Sequence, residues 1–302
     1  MRDTVMVIGS GLMGPGIAAV SALAGNKTVL AGRSLATAEK GVQRAHENIT
    51  ELYNNQLADQ QAKENAYQLI FASDDLDASA DNAFVVIEAV PEDLALKQQL
   101  FKRLDALLPA DIPILSNTSG LRITDIAKLA EHPERILTAH FWFPAHLVPL
   151  VEVVIGDRSS KEMAVEIKEL LKKWGKQPVI VKKDLPGQLA NRILQAIIRE
   201  AVNIVEIGLA EPEDVDMAMK AGPGIRLPVW GPIEHIEAVG LDLCKNVQRT
   251  VLPDISNAQA PSSLFENHVA NGNLGYKTGK GFYDWSVKDM GKDMYAIPIT
   301  AF

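Results

Sequence analysis

The sequence holds a single cysteine, Cys244, in 302 residues. That excludes an internal disulfide and a metal site built from several thiolates. It fits a reducing, cytoplasmic compartment. No apolar run reaches the roughly 18 residues that a membrane helix needs, so no membrane partner is expected. The opening MRDTVMVIGSG carries no small-residue cleavage site and reads as the start of a fold, not a signal peptide. Positive charge is also scarce. Thirty Lys and Arg against 38 Asp and Glu leave a formal net charge of -8, which argues against nucleic acid as the partner. Five histidines, His46, His132, His146, His235 and His268, have no ligand-like spacing, so no metal is expected.

What is present is ordinary for a globular chain: 47% hydrophobic and 23% charged residues. The length suffices for one large or two ordinary domains, each with its own core. Short apolar runs alternate with helical stretches. Val5–Ile8, Thr28–Ala31, Ile70–Phe71, Phe84–Val90, Ile112–Ser116, Ile136–Phe141, Leu150–Val154 and Pro178–Val181 read as strands. Helices are expected after Gly14, over Thr37–Gln68 with a break at Tyr53-Asn54-Asn55, and over Leu94–Leu108, Ile123–Leu129 and Lys161–Trp174. Such alternation means a mainly parallel sheet covered on both faces. After Asp184-Leu185-Pro186-Gly187 the pattern turns helical, over Leu189–Ile207, Pro212–Ala221 and Ile233–Val251, with a short strand expected at Gly281-Phe282-Tyr283. Two domains follow, 1–183 and 184–302.

Gly9-Ser10-Gly11-Leu12-Met13-Gly14 lies directly between the first strand and the first helix. In a G-x-G-x-x-G loop the first glycine permits the turn, the second lets a pyrophosphate approach, and the third brings helix and strand close. The helix N-terminus then offers free N–H groups to the phosphates. The fold class is therefore expected to be α/β, a Rossmann-type N-terminal domain followed by an all-α C-terminal domain, and the expected cofactor is NAD(P).

The second strand normally ends in an Asp or Glu that binds the adenosine ribose and repels a 2′-phosphate. Here Gly32, Arg33 and Ser34 follow it instead. Arg33 is suited to lie against the adenine or to pair with a 2′-phosphate, and Ser34 to donate to it. This favours NADP(H) over NAD(H). The alternative is a solvated Arg33 and NAD(H) bound without the usual carboxylate.

Four further segments carry chemistry: Ser116-Asn117-Thr118-Ser119, His140-Phe141-Trp142-Phe143-Pro144, Val151-Glu152-Val153 and Pro186-Gly187-Gln188-Leu189-Ala190-Asn191-Arg192. Together with GSGLMGPGIA, IEAVPED, LALK and the late GYKTGKGFYDW, they resemble the L-3-hydroxyacyl-CoA dehydrogenase family over nearly the whole chain. Removing a hydride from a secondary alcohol requires a base for the hydroxyl proton, and histidine is suited to that near neutral pH. His140 follows an apolar strand and Glu152 comes twelve residues later on the next one. A carboxylate on one ring nitrogen fixes the tautomer and stabilises the imidazolium.

The resemblance implies a His140–Glu152 pair and substrate-oxygen donors in Ser119 and Asn191, working in the manner of an oxyanion hole. It places Glu92, Lys97 and Asn117 near the nicotinamide and its ribose. It also implies a homodimer formed through the helical domain. Two departures bear on the substrate. Phe143 stands where the family has Asn in H-x-x-N-P, and Gly224-Ile225-Arg226-Leu227-Pro228-Val229-Trp230-Gly231-Pro232 is longer than the Gly-x-Pro-Met-Gly-Pro turn of acyl-CoA members. That longer form looks more like relatives acting on free hydroxy acids, such as L-gulonate 3-dehydrogenase and carnitine dehydrogenase, where Arg226 would pair with a carboxylate. The expected substrate is a 3-hydroxyacyl-CoA or a free 3-hydroxy acid. Another small hydroxy acid or alcohol, or a non-catalytic dinucleotide-binding role, stays open.

Overall fold

The computed structural model describes residues 2–287. Two compact units divide the chain, Met1–Arg192 and Ile193–Phe302.

The first unit is built on eight strands: β1 (Thr4–Ile8), β2 (Lys27–Ala31), β3 (Ile70–Ser73), β4 (Ala83–Glu88), β5 (Ile114–Ser116), β6 (Ile136–Phe141), β7 (Leu150–Val154) and β8 (Gln177–Val181). Their order in the sheet is β3-β2-β1-β4-β5-β6-β7-β8. Every pairing is parallel except β6 with β7. Strand order reverses between β1 and β4, the place where α/β sheets open a crevice at their carboxyl edge. The sequence puts the glycine loop after β1, Glu88 at the end of β4, Asn117 after β5 and His140 near the end of β6.

Alternation along β1 serves two cores. Val5 and Val7 join Ile17, Leu30, Ile49, Ile87 and Leu137 on one face. Met6 and Ile8 join Phe101, Leu104, Ile114 and Ile126 on the other. All five β1 residues are buried, as a central parallel strand requires.

The covering helices are α1 (Gly14–Leu23), α2 (Leu35–Asn54), α3 (Gln60–Gln68), α4 (Leu76–Ala80), α5 (Leu94–Leu107), α6 (Ile123–Ile126) and α7 (Lys161–Lys173). Ser34, Asp59, Asp75, Asp93 and Ser160 cap the N-termini of α2, α3, α4, α5 and α7 through their side-chain oxygens. The expected Ile123–Leu129 helix is α6 followed by a single 3-10 turn. The short α4 has too few residues to show a period, although its Asp75 cap is legible.

The second unit carries α8 (Ala190–Glu206, which begins within the first unit), α9 (Pro212–Ala221), α10 (Pro232–Val239), α11 (Leu241–Val251) and α12 (Ser263–Ala270). Ile233–Val251 is thus two helices and not one. Gly240 at φ +102° breaks it, a backbone geometry that side chains other than glycine rarely adopt. Gly281-Phe282-Tyr283 forms no strand; only isolated bridges Gly275–Lys280 and Lys280–Asp284 occur there. None of residues 189–287 is buried. Among the described residues no helix is long and apolar enough to cross a membrane.

Candidate active site

The glycine loop has the shape of a phosphate cradle. Gly9 sits at φ +113°, and a Cβ there would stand 2.4 Å from the Ala89 carbonyl oxygen. A Cβ on Gly14 would stand 1.8 Å from the Gly9 oxygen. Both positions are closed to any side chain. Gly11 instead has nothing within 4 Å of its would-be Cβ, so its flank is the open one. Leu12 is exposed beside it. Met13 occupies the N-cap of α1 without a side-chain cap, and the first turn holds no acid. The N-terminus of α1 is therefore left with donors and dipole available to an anion, and the residues fit a dinucleotide.

At the end of β2 the missing carboxylate has a steric reason. A Cβ on Gly32 would lie 2.7 Å from Thr37 Oγ1 and 2.8 Å from the Ala38 nitrogen. Any acid at that position would collide with α2. Arg33 is exposed. Ser34 uses its hydroxyl to cap α2, accepting from the Thr37 N–H. Asp74, beyond β3, accepts the first N–H of the helix, that of Leu35, at 3.0 Å. Sequence reasoning missed Asp74, because the contact joins residues 39 positions apart.

The antiparallel register sets His140 directly opposite Glu152. His140 Nδ1 lies 2.8 Å from Glu152 Oε2, and both residues are buried. The Trp142 indole N–H donates to the same oxygen at 3.0 Å. The other oxygen, Oε1, accepts the backbone N–H groups of Leu189 and Ala190, each at 2.9 Å. Burial acts to raise the Glu152 pKa. The hydrogen bonds from His140, Ala190, Trp142 and Leu189 outweigh it and hold the carboxyl at about 2. Glu152 is thus a fixed anion at neutral pH, and Asn191 follows directly on one of its donors.

A second carboxylate organises the Ser119 loop. Glu92 Oε1 accepts from the Thr118 hydroxyl at 2.5 Å, the Ser119 N–H at 3.1 Å and the Gly120 N–H at 3.0 Å. Burial tends to raise its pKa, but these bonds and Lys97 bring it below the usual carboxylate range. Lys97 is buried, with its ammonium 2.5 Å from Glu88 Oε1 and 3.4 Å from Glu92 Oε2. Glu88 in turn accepts the Ser116 hydroxyl at 2.6 Å. Asn117 Oδ1 accepts the N–H of Phe141, tying the β5 loop to the end of β6 at 2.8 Å. Glu88 was another omission: its place inside an apolar strand hid it, although the Glu88–Lys97 spacing was a usable signal.

Gln188 was missed as well. Its φ of +51° is unusual for a residue with a side chain. Its Nε2 donates to the Thr118 carbonyl at 3.0 Å, while its Oε1 is buried without a hydrogen-bond partner. Phe143, just past β6, is 47% exposed. Arg226 is exposed in the second unit. The first unit therefore gathers His140, Glu152, Asn117, Glu92, Lys97 and the backbone of Ser119 into one hydrogen-bonded frame around the β4–β7 edge.

Comparison with known proteins shows the family. The model of the 3-hydroxyacyl-CoA dehydrogenase NAD binding domain matches residues 4–185, and that of the C-terminal domain matches residues 187–285. The chain belongs to the 3-hydroxyacyl-CoA dehydrogenase family. These are oxidoreductases acting on CH–OH groups. A probable 3-hydroxybutyryl-CoA dehydrogenase of Bacillus subtilis is 35% identical over 285 residues, covering 94% of this chain and 98% of that one. The 5-formyl-3-hydroxy-2-methylpyridine 4-carboxylate 5-dehydrogenase of Mesorhizobium japonicum is 32% identical over 283 residues, covering 94% and 91%. A crystal structure of an enzyme of that activity, described as an NAD+ dependent dismutase, superposes with a TM-score of 0.84 at 31% identity, covering 94% of this chain and 91% of that one. The (S)-3-hydroxybutyryl-CoA dehydrogenase of Ralstonia eutropha gives 0.78 at 33% identity, covering 94% and 99%.

Proposed function

We propose that this protein interconverts a 3-hydroxyl and a 3-keto group, with His140 as acid and base. The observation that carries the reading is the buried His140–Glu152 pair. When bound, the nicotinamide dinucleotide supplies the hydride acceptor or donor. The rest falls to the chain. Glu152 engages Nδ1, so Nε2 is the ring nitrogen left to take the hydroxyl proton. The fixed anion then stabilises the imidazolium that forms. The Ser119 hydroxyl and the Asn191 carboxamide hold the reacting oxygen and stabilise charge on it. Glu92 and Lys97 hold the Ser119 loop, and Asn117 holds the end of β6.

The cofactor reading turns on the end of β2. Arg33 speaks for NADP(H). Against it, the Ser34 hydroxyl is already engaged and Asp74 sets a carboxylate at the N-terminus of α2. A carboxylate there repels a 2′-phosphate, and the balance favours NAD(H).

A second reading of the substrate is a free acid without CoA. Phe143 presents an exposed aromatic ring just beyond the catalytic strand. The Mesorhizobium relative is named for a compound that is both aromatic and a free carboxylate. Oxidation of 3-hydroxybutyryl-CoA measured beside free aliphatic and aromatic hydroxy acids separates the two.

His140→Gln tests the central reading. Turnover should fall by roughly 10²–10⁴-fold, the usual contribution of a general base. Dinucleotide affinity, measured by fluorescence titration, should barely change. Turnover that survives the substitution would leave a dinucleotide-binding protein whose chemistry lies elsewhere.

A further inference from the structure

Glu152 has more donors than a simple His partner needs. Its Oε1 is saturated by the N–H groups of Leu189 and Ala190. Its Oε2 is shared by His140 Nδ1 at 2.8 Å and Trp142 Nε1 at 3.0 Å. Trp142 follows His140 by two residues, just past the end of β6, and its indole reaches the same Glu152 oxygen. Their rings stand 5.9 Å apart at 50°. The indole N–H is a donor only and keeps its proton at every working pH.

We propose that Trp142 is a positioning residue that fixes Glu152 Oε2 and divides its charge, so setting the pH at which His140 becomes available as a base. The inference rests on the reading of His140 as acid and base. A carboxylate oxygen that accepts two hydrogen bonds concentrates less charge on either donor. Without the indole, Oε2 would turn wholly to His140 and stabilise the imidazolium more strongly. The indole thus takes up part of the acceptor capacity of Oε2 and weakens its pull on the His140 ring. It also restrains rotation of the carboxylate, which a hydrophobic ring would not.

Other buried or half-buried charged groups of the first unit are engaged elsewhere. Lys176, just before β8, donates to the carbonyls of Ala145 and Val148. Glu92 holds the Ser119 loop, and Lys97 pairs with Glu88 and Glu92. Asp184 accepts from the Thr124 N–H and lies near Arg122. Among the described residues Glu152 is the one carboxylate paired with His140.

The test is Trp142→Phe in the full-length enzyme, which removes the N–H and keeps an aromatic ring. The acid limb of the kcat/KM profile should move up by about half to one pH unit, the effect of one hydrogen bond on a carboxylate pair. KM and dinucleotide affinity should change by less than about twofold, since the indole is assigned no contact with either ligand. An acid limb that stays in place in a folded variant overturns the inference and leaves Trp142 a packing residue. If the variant does not fold, indole N–H resonances of the native enzyme decide. The Trp142 signal, assigned by elimination against Trp174, Trp230 and Trp285 variants, should move as His140 titrates. A signal indifferent to that titration overturns the inference. Failure of the His140 reading shows separately, as turnover retained by His140→Gln.

Discussion

The backbone N–H of Leu35 donates to Asp74 Oδ2 at 3.0 Å, closing the start of α2 with a carboxylate that β2 itself does not carry. Gly32 leaves no room for an acid just past β2, and Asp74, just past β3, reaches the start of the same helix. A negative charge is thus supplied from beyond a different strand.

That relationship predicts the cofactor preference. The native enzyme should favour NAD(H), and Asp74→Ser should raise kcat/KM with NADP(H) relative to NAD(H) by about tenfold, the effect of removing roughly 1.4 kcal/mol of charge repulsion. Arg33→Asp in the same background should take that gain away. Steady-state kinetics with both cofactors across the two variants decide the matter. An unchanged ratio in Asp74→Ser would place the selectivity elsewhere.

The second unit makes a prediction about assembly. Residues 189–287 include none that is buried, yet α8 carries exposed Ile193, Leu194 and Ile197, and α11 carries exposed Leu241, Leu243 and Val247. Apolar faces of this extent are not left in water. A second copy of the chain is the partner proposed to cover them, as the family resemblance implies. Sedimentation equilibrium at micromolar concentration should give twice the mass of the 302-residue chain. Ile197→Asp, placed on that face, should produce monomers or insoluble protein. A native species sedimenting as a stable monomer would refute the assignment.

Legibility in the sequence followed the range of the interaction. The β-strands of the first unit show in runs such as Phe84–Val90 because a parallel strand buried on both faces has to be continuously apolar. The His140–Glu152 pair was legible through the family resemblance, whereas the antiparallel step that sets the two residues opposite each other shows only in the fold. Gly240 was not read as a break, since glycine inside a helical pattern is often tolerated and only its φ of +102° shows the interruption. Asp74, Glu88 and Gln188 escaped for a different reason. Each acts through a partner chosen by the tertiary fold, and no local periodicity marks such a choice. Trp142 stands within a legible motif, but its hydrogen bond to Glu152 is made only once β6 and β7 pair.

The anchoring of Glu152 also has a consequence in acid. Its folded pKa is about 2, against 4.5 for an ordinary glutamate. The unfolded chain therefore binds more protons between those values, and the group's contribution to stability is present above pH 4.5 and lost as the pH falls toward 2. The full contribution is of order 3 kcal/mol, since each pH unit between the folded and unfolded titrations is worth about 1.4 kcal/mol. Glu152→Gln keeps the shape and removes the titration. Its deficit relative to the native protein in urea unfolding should be largest near pH 7 and shrink steadily below pH 4.5, most of it gone near pH 2.5 if both proteins still fold there. A deficit independent of pH would mean that Glu152 stabilises by packing and neutral hydrogen bonding alone, and that its charge matters only when His140 takes the proton.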